Sequence, residues 1–120
     1  MKKILPGSDV KLNIEKWCEK KGHDILIVEN GLMCYRIDGD DIWTGAAWVH
    51  PDHRRTGIMT EIVKKIITTH SDKKYLKSLT NPNLESVTNM YLKIGRKQPQ
   101  ETKDGLLWVD EISELIRRKT

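Results

Sequence analysis

The chain reads as a mixed α/β (α+β) domain in which a mostly antiparallel sheet carries helices, and three observations predict this. Apolar, β-rich runs over 24–29, 32–37 and 42–49 are separated by Asn30-Gly31 and by Asp38-Gly39-Asp40. Both separators are strong tight-turn signals, so an antiparallel meander is the natural product. Further on, helical periodicity alternates with short strand candidates, the pattern of strand–helix–strand crossovers. Finally, 120 residues suffice for one modest core but not for two units that fold independently, so a single domain over 1–120 is the expectation.

The elements follow in order. Residues 2–5 offer at most a short first strand. Ser8 or Asp9 can cap a helix running to about Lys21, with Val10, Leu12, Ile14, Trp17 and Cys18 as its apolar stripe and Gly22 as its stop. After the meander, His50-Pro51 opens a basic loop that ends in Gly57. Ile58, Ile62, Ile66 and Ile67 then recur with helical period to about His70. Residues 75–79 are a strand candidate, Asn81-Pro82-Asn83 marks a turn and helix start, and 84–94 is a helix that Gly95 stops. The tail provides a strand near 96–99, a Lys103-Asp104-Gly105 turn, a strand over 106–109 and a last helix over 111–118. Crossovers favour parallel pairing, so the middle of the sheet should be mixed.

Composition narrows the function. The net charge of +4 is spread along the chain in pairs such as Lys64-Lys65 and Lys73-Lys74, without a stripe of interleaved stacking aromatics, which argues against a nucleic-acid module. Solvated helix faces and a site for an anionic cofactor account for it better. Cys18 and Cys34 make neither a disulfide framework nor a zinc spacing, and no metal site is expected. The opening Met1-Lys2-Lys3 leads into two apolar residues before Pro6-Gly7, unlike a secretory leader, and no apolar run reaches the ~18–20 residues a membrane crossing needs. A cytoplasmic, reducing setting without membrane contact follows as the expectation.

The segment richest in chemistry is Val49-His50-Pro51-Asp52-His53-Arg54-Arg55-Thr56-Gly57-Ile58, where a strand end passes through a basic loop into a helix. Helix starts carry unpaired N–H groups and partial positive charge, so a loop without bulk at that point can cradle phosphate oxygens. Gly57 permits close backbone approach, and Arg54 and Arg55 bring forks able to pair two oxygens at once.

This run, V-x-P-x-x-R-x-x-G-I, resembles the signature of the GNAT acetyltransferases, in which an R/Q-x-x-G-x-G/A loop after the fourth strand binds the pyrophosphate of acetyl-CoA. Here the loop reads Arg54-Arg55-Thr56-Gly57-Ile58-Met59, with Met59 in place of the second small residue. The stretch from Asn83 to Gly95 is similar to the family's later motif, N-x-x-A/S-x-x-x-Y-x-K-x-G-F. Tyr91, Lys93 and Gly95 match in register, while Arg96 stands where Phe is usual. Together the motifs span roughly residues 42–96.

The resemblance implies a central sheet of about six to seven strands flanked by helices, with a V-shaped splay between the fourth and fifth. It implies acetyl-CoA as co-substrate, held by Arg54, Arg55, Thr56, Gly57, Ile58 and Met59, by main-chain groups of Trp48 and Val49, and by Asn83. It also implies an amine acceptor, either a small molecule or a peptide or protein amine; a homodimer is compatible with this. Tyr91 is the candidate general acid for the departing thiolate; its alternative is a helix tyrosine buried by its ring. His50 has an intrinsic pKa of about 6.5, suited to deprotonating an amine. A packing role for His50 and a water-relayed role for Asp40 or Asp41 stay open. Two other readings are a GNAT-fold module acting through protein contacts and a small nucleic-acid binder. Trp43 and Trp48, five apart, fall on opposite faces if their strand is regular.

Overall fold

The computed structural model describes residues 8–54 and 56–118. The strand expected over 2–5 lies outside them, as do Arg55 and the capping side chains of Ser8 and Asp9. Helix α1 (Ser8–Lys21) leads into the meander of β1 (Asp24–Val28), β2 (Gly31–Asp38) and β3 (Asp41–Val49), paired antiparallel throughout. Asn30 turns the first hairpin at φ 69°, in the left-handed region that Asn tolerates.

A 3-10 turn (Pro51–His53) and α2 (Ile58–Thr69) then carry the chain back to β4 (Tyr75–Thr80), which lies parallel to β3. Next come α3 (Glu85–Lys93), a hairpin of β5 (Gln100–Thr102) and β6 (Gly105–Glu111), and α4 (Ile112–Arg118). β6 pairs antiparallel with β4, giving the sheet order β1-β2-β3-β4-β6-β5. The mixed centre is thus one parallel pair. The strand expected over 96–99 begins instead at Gln100, because Arg96 turns inward and the Lys97 N–H is spent on the Asp110 carboxylate.

Alternation along the strands sorts the two faces. Met33, Ile42, Leu76 and Trp108 point to one face, where Ile62, Val63, Ile66 and Ile67 of α2, Tyr91 of α3, and Ile112 and Leu115 of α4 close the main core. α1 packs on the opposite face over β1, β2 and β3, and it buries Cys18 there. With no Phe in the chain, the largest fully buried side chain is Trp108, whose indole N–H donates to Thr80 Oγ1 at 2.8 Å.

Cys18 and Cys34 are both free and buried under α1, and Cys18 Sγ lies 3.3 Å from the His23 carbonyl. Burial, then the neighbouring Cys18 thiol, then the Asp24 charge push the Cys34 thiol from 9.0 up to about 12. Burial and, to a lesser degree, Asp24 push the Tyr35 phenol up as well. Both groups bind their protons more tightly folded than unfolded. Their contribution to stability is complete below the unfolded value and is lost as pH climbs through the folded one. Urea midpoints should therefore fall as pH rises above 9, and iodoacetamide at pH 8 should label Cys34 in the unfolded chain but not in the native one. Equal labelling of both forms would contradict this burial.

Candidate active site

The site begins where two strands part. β3 and β4 pair from Asp41↔Tyr75 to Thr44↔Ser78, and there the pairing stops although β3 runs on to Val49. The register between β2 and β3 shifts at the same level, from Tyr35↔Thr44 to Met33↔Ala47, so Gly45 and Ala46 together oppose Cys34. A bulge of this kind bends its strand and increases local twist, which turns the end of β3 away from β4. It also corrects the expectation for the tryptophans. Trp43 faces Arg36 and Trp48 faces Leu32, so the extra residue places both indoles on the same side of the sheet. A glycine within a strand was the signal for this bulge.

The start of α2 sits beside the parted strand. Gly57 is its N-cap, at φ 85° and ψ 7°, with no side chain capping the first turn. The Gly57 carbonyl accepts the first helical bond from the Glu61 N–H, at 3.0 Å, leaving the amides of the first turn without intrahelical partners. Gly31 lets this end of the helix come close, since a Cβ there would stand 2.8 Å from the Ile58 side chain. Arg54 Nε donates to the Val49 carbonyl at 3.2 Å, tying the basic loop to the strand end.

A groove of about 820 Å³ runs between these elements and α3. Ala47, Trp48 and Val49 form its strand wall; Arg54, Gly57, Ile58 and Met59 form its loop and helix wall. Across from them stand Val87, Asn89, Met90 and Lys93 of α3. Arg54 and Lys93 bring positive charge and, among the described residues, no carboxylate lines the groove, so with the open helix start it suits an anion. Of the sequence candidates, Trp48, Val49, Arg54, Gly57, Ile58 and Met59 come together here. The α3 wall was not anticipated, although Lys93 belonged to the second motif.

The remaining candidates stand apart from the lining. Thr56 Oγ1 donates to the His53 carbonyl and shapes the loop. Asn83 is exposed on the turn before α3, its N–H donating to Asn81 Oδ1 at 2.9 Å. His50 caps the 3-10 turn, its Nδ1 accepting from the Asp52 N–H at 3.1 Å. That bond places the proton of the neutral ring on Nε2. Asp41 is ion-paired with Lys77 at 2.9 Å and begins β3, so Asp40 and Asp41 lie at the far end of the strand from the groove.

Tyr91 is buried, with its ring edge-on to Trp108 at 5.1 Å. Its hydroxyl lies 3.3 Å from Thr44 Oγ1, at the level where the strands part. This is long for a hydroxyl pair. Thr44 Oγ1 is bonded in turn to Ser78 Oγ, which accepts from Arg96 Nη1 at 2.8 Å. Arg96 also donates from Nε to Asp110 Oδ2 at 2.7 Å and from Nη2 to the Leu76 carbonyl at 3.0 Å. Its guanidinium centre lies 4.6 Å from the centre of the Tyr91 ring. The residue that departs from the second motif thus anchors a buried polar network beneath the tyrosine.

A sequence model of the Acetyltransferase (GNAT) family matches residues 8–95. The chain belongs to the GNAT acetyltransferase family. The six-stranded, mostly antiparallel mixed sheet and four helices of the described residues make the GNAT fold. Solved structures agree. The ribosomal-protein-S18-alanine N-acetyltransferase of Escherichia coli matches with a TM-score of 0.65 at 13% identity, over 83% of this chain and 76% of that one. The PaiA N-acetyltransferase of Thermoplasma acidophilum, solved in complex with coenzyme A, matches at 0.66 and 13% identity, over 87% and 71%. A GNAT-family acetyltransferase of Staphylococcus aureus Mu50 matches at 0.64 and 15% identity, over 88% and 77%. At such identities the likeness is one of fold. No curated protein sequence matches the chain.

Among the described residues no group of three or more His, Cys, Asp or Glu side chains could hold a metal, and no helix is long and apolar enough to cross a membrane. The GNAT loop yields its own test. Apart from its own chain neighbours, no atom of the described residues lies within 4 Å of where a Cβ on Gly57 would stand, so Gly57→Ala meets strain and not collision. The left-handed conformation costs an L-residue about 1–2 kcal/mol, and the variant should lose that much unfolding free energy by urea titration. A neutral result would mean that the turn relaxes and that the cap geometry is not fixed.

Proposed function

We propose that this GNAT chain transfers an acetyl group from acetyl-CoA to a primary amine. The observation that carries the reading is the groove, which opens where β3 leaves β4 and is bounded, among the described residues, by an uncapped helix start, the cations Arg54 and Lys93, and no carboxylate. The first-turn amides of α2 and the Arg54 guanidinium would hold the diphosphate, and the unpaired edge of β3 past Thr44 would hold the pantetheine arm. The bound thioester supplies an activated acyl carbon, which forms a C–N bond as the C–S bond breaks and its electron pair goes to sulfur.

Tyr91 is the group proposed to give that sulfur its proton, from a hydroxyl stationed at the strand parting. The proton displaced from the amine leaves to water. His50 can take it only by giving up the cap of the 3-10 turn, because Nδ1 already accepts a main-chain hydrogen bond. Two free buried thiols fit a protein that works in a reducing compartment.

A second reading, a GNAT-fold module that holds coenzyme A without turning it over, draws on the burial of Tyr91. Two measurements separate the readings. Coenzyme A and acetyl-CoA should both raise the melting temperature, since ligand at about a hundred times Kd adds roughly 2.7 kcal/mol. Arg54→Ala and Gly57→Glu should abolish most of that shift; a full shift in both would remove the groove from the proposal. With an amine panel, Tyr91→Phe should lower kcat by roughly 10²–10⁴-fold at nearly unchanged coenzyme A affinity, the range for loss of a general acid. Unchanged kcat would end the general-acid assignment, and absence of wild-type turnover with any amine would favour the second reading.

A further inference from the structure

Arg96 occupies a place where a core residue is expected, and it arrives there charged. Its side chain is 0% exposed and that of its partner Asp110 is 3% exposed. The guanidinium can only donate, so Ser78 Oγ must accept from it. Among the described residues Ser78 Oγ has one other partner, Thr44 Oγ1, and Thr44 Oγ1 has one other, Tyr91 Oη.

These constraints set the direction of the hydroxyl protons. If Thr44 donated to Ser78, the Ser78 proton would have no acceptor in a fully buried position. Ser78 therefore donates to Thr44. A cation at the head of a hydrogen-bonded chain turns each hydroxyl with its oxygen toward the charge and its hydrogen away, and each bond polarises the next. Thr44 then donates to the phenol oxygen of Tyr91. With that oxygen engaged as an acceptor, the phenol proton is the one the chain leaves over, and Tyr91 Oη meets Thr44 at the level where β3 and β4 stop pairing.

We propose that Arg96 is a positioning residue for acyl transfer, acting through Ser78 and Thr44 to present the Tyr91 proton into the gap between the parted strands. The proposal deepens the reading of Tyr91 as general acid and rests on it for its catalytic consequence. The proton passes from Oη to sulfur as the C–S bond breaks. The Thr44 hydroxyl, already donating, then stabilises the phenolate oxygen until water returns the proton shed by the amine. The placement of Arg96 after Gly95 makes this geometry: Gly95 stops the helix at φ 95°, and the Arg96 N–H returns to the Tyr91 carbonyl at 3.1 Å, locking the cation and the phenol to the same helix end.

Arg96 itself is a poor first target, because truncating it strands the Asp110 charge and threatens the fold. Ser78→Ala and Thr44→Val break the relay and leave the Arg96–Asp110 pair in place. By NMR of the free protein, the Thr44 hydroxyl proton should exchange slowly and show a nuclear Overhauser effect to the Tyr91 ring. Ser78→Ala should abolish the slow exchange. In turnover, Ser78→Ala and Thr44→Val should lower kcat about tenfold or more, short of the roughly 10²–10⁴-fold assigned to a general acid, with coenzyme A affinity unchanged and with rescue by Ser78→Thr. A Tyr91→Phe variant that turns over normally would sink the general-acid reading, while the Thr44 proton would still decide the relay. A rapidly exchanging Thr44 proton, or wild-type kcat in both relay variants beside an impaired Tyr91→Phe, would overturn the inference.

Discussion

The constraint on which the rest depends is the short seam between β3 and β4. A parallel pair in the middle of a sheet would normally continue as far as both strands allow, because each abandoned pairing leaves main-chain groups in need of partners. Here it ends at Thr44 and Ser78, and the bulge at Gly45 and Ala46 carries β3 away. The cost is tolerable only if what replaces β4 is itself a hydrogen-bonding guest or water. The groove thus follows from a deliberate failure of sheet pairing, and every feature around it reinforces that failure. Gly31 admits α2, Arg54 takes the Val49 carbonyl, and α3 stands across the gap.

Much of this fold was legible in the residues because local chemistry and global topology agree. Asn30 and Gly39 mark turns that have few alternatives, and the isoleucine spacing from Ile58 to Ile67 admits only a helix with one apolar face. The loop to Gly57 was legible for the same reason, since a left-handed residue at a helix start leaves its mark on sequence. What escaped was non-local. Nothing near Arg96 announces that Asp110, Ser78 and Leu76 converge on it, and reading the adjacent segment as a strand was reasonable from its composition. Trp43 and Trp48 would take opposite faces on a regular strand; this strand is not regular, because one extra residue inverts every side chain beyond it, and strand alternation has no memory of a bulge.

A Phe at position 96 would fill the space with apolar volume and ask nothing of its neighbours. Arginine imposes conditions: a carboxylate to balance it, a carbonyl and a hydroxyl to take its other protons, and aromatic faces to cover it. The chain meets all of them, with Tyr91 and Trp108 flanking the guanidinium. A buried ion pair of this kind adds little net stability compared with hydrocarbon, but it specifies orientation in a way that hydrocarbon does not. The polar centre of the core therefore holds its side chains in one arrangement, from Asp110 through Arg96 and Ser78 to Thr44.

The half-covered sheet bears on the protein's conduct at high concentration. α1 shields β1, β2 and part of β3, whereas Tyr75, Leu79 and Val109 lie open on the same face of β4 and β6. In their midst Trp43 is roofed by two cations, Arg36 at 5.4 Å and Lys77 at 5.6 Å from its ring centre. Each head is also held by a carboxylate, Arg36 by Asp38 at 3.4 Å and Lys77 by Asp41 at 2.9 Å, so the ring lies under two paired and hydrated groups. The indole at the middle of the strip is thus covered by polar groups without the weight of another helix.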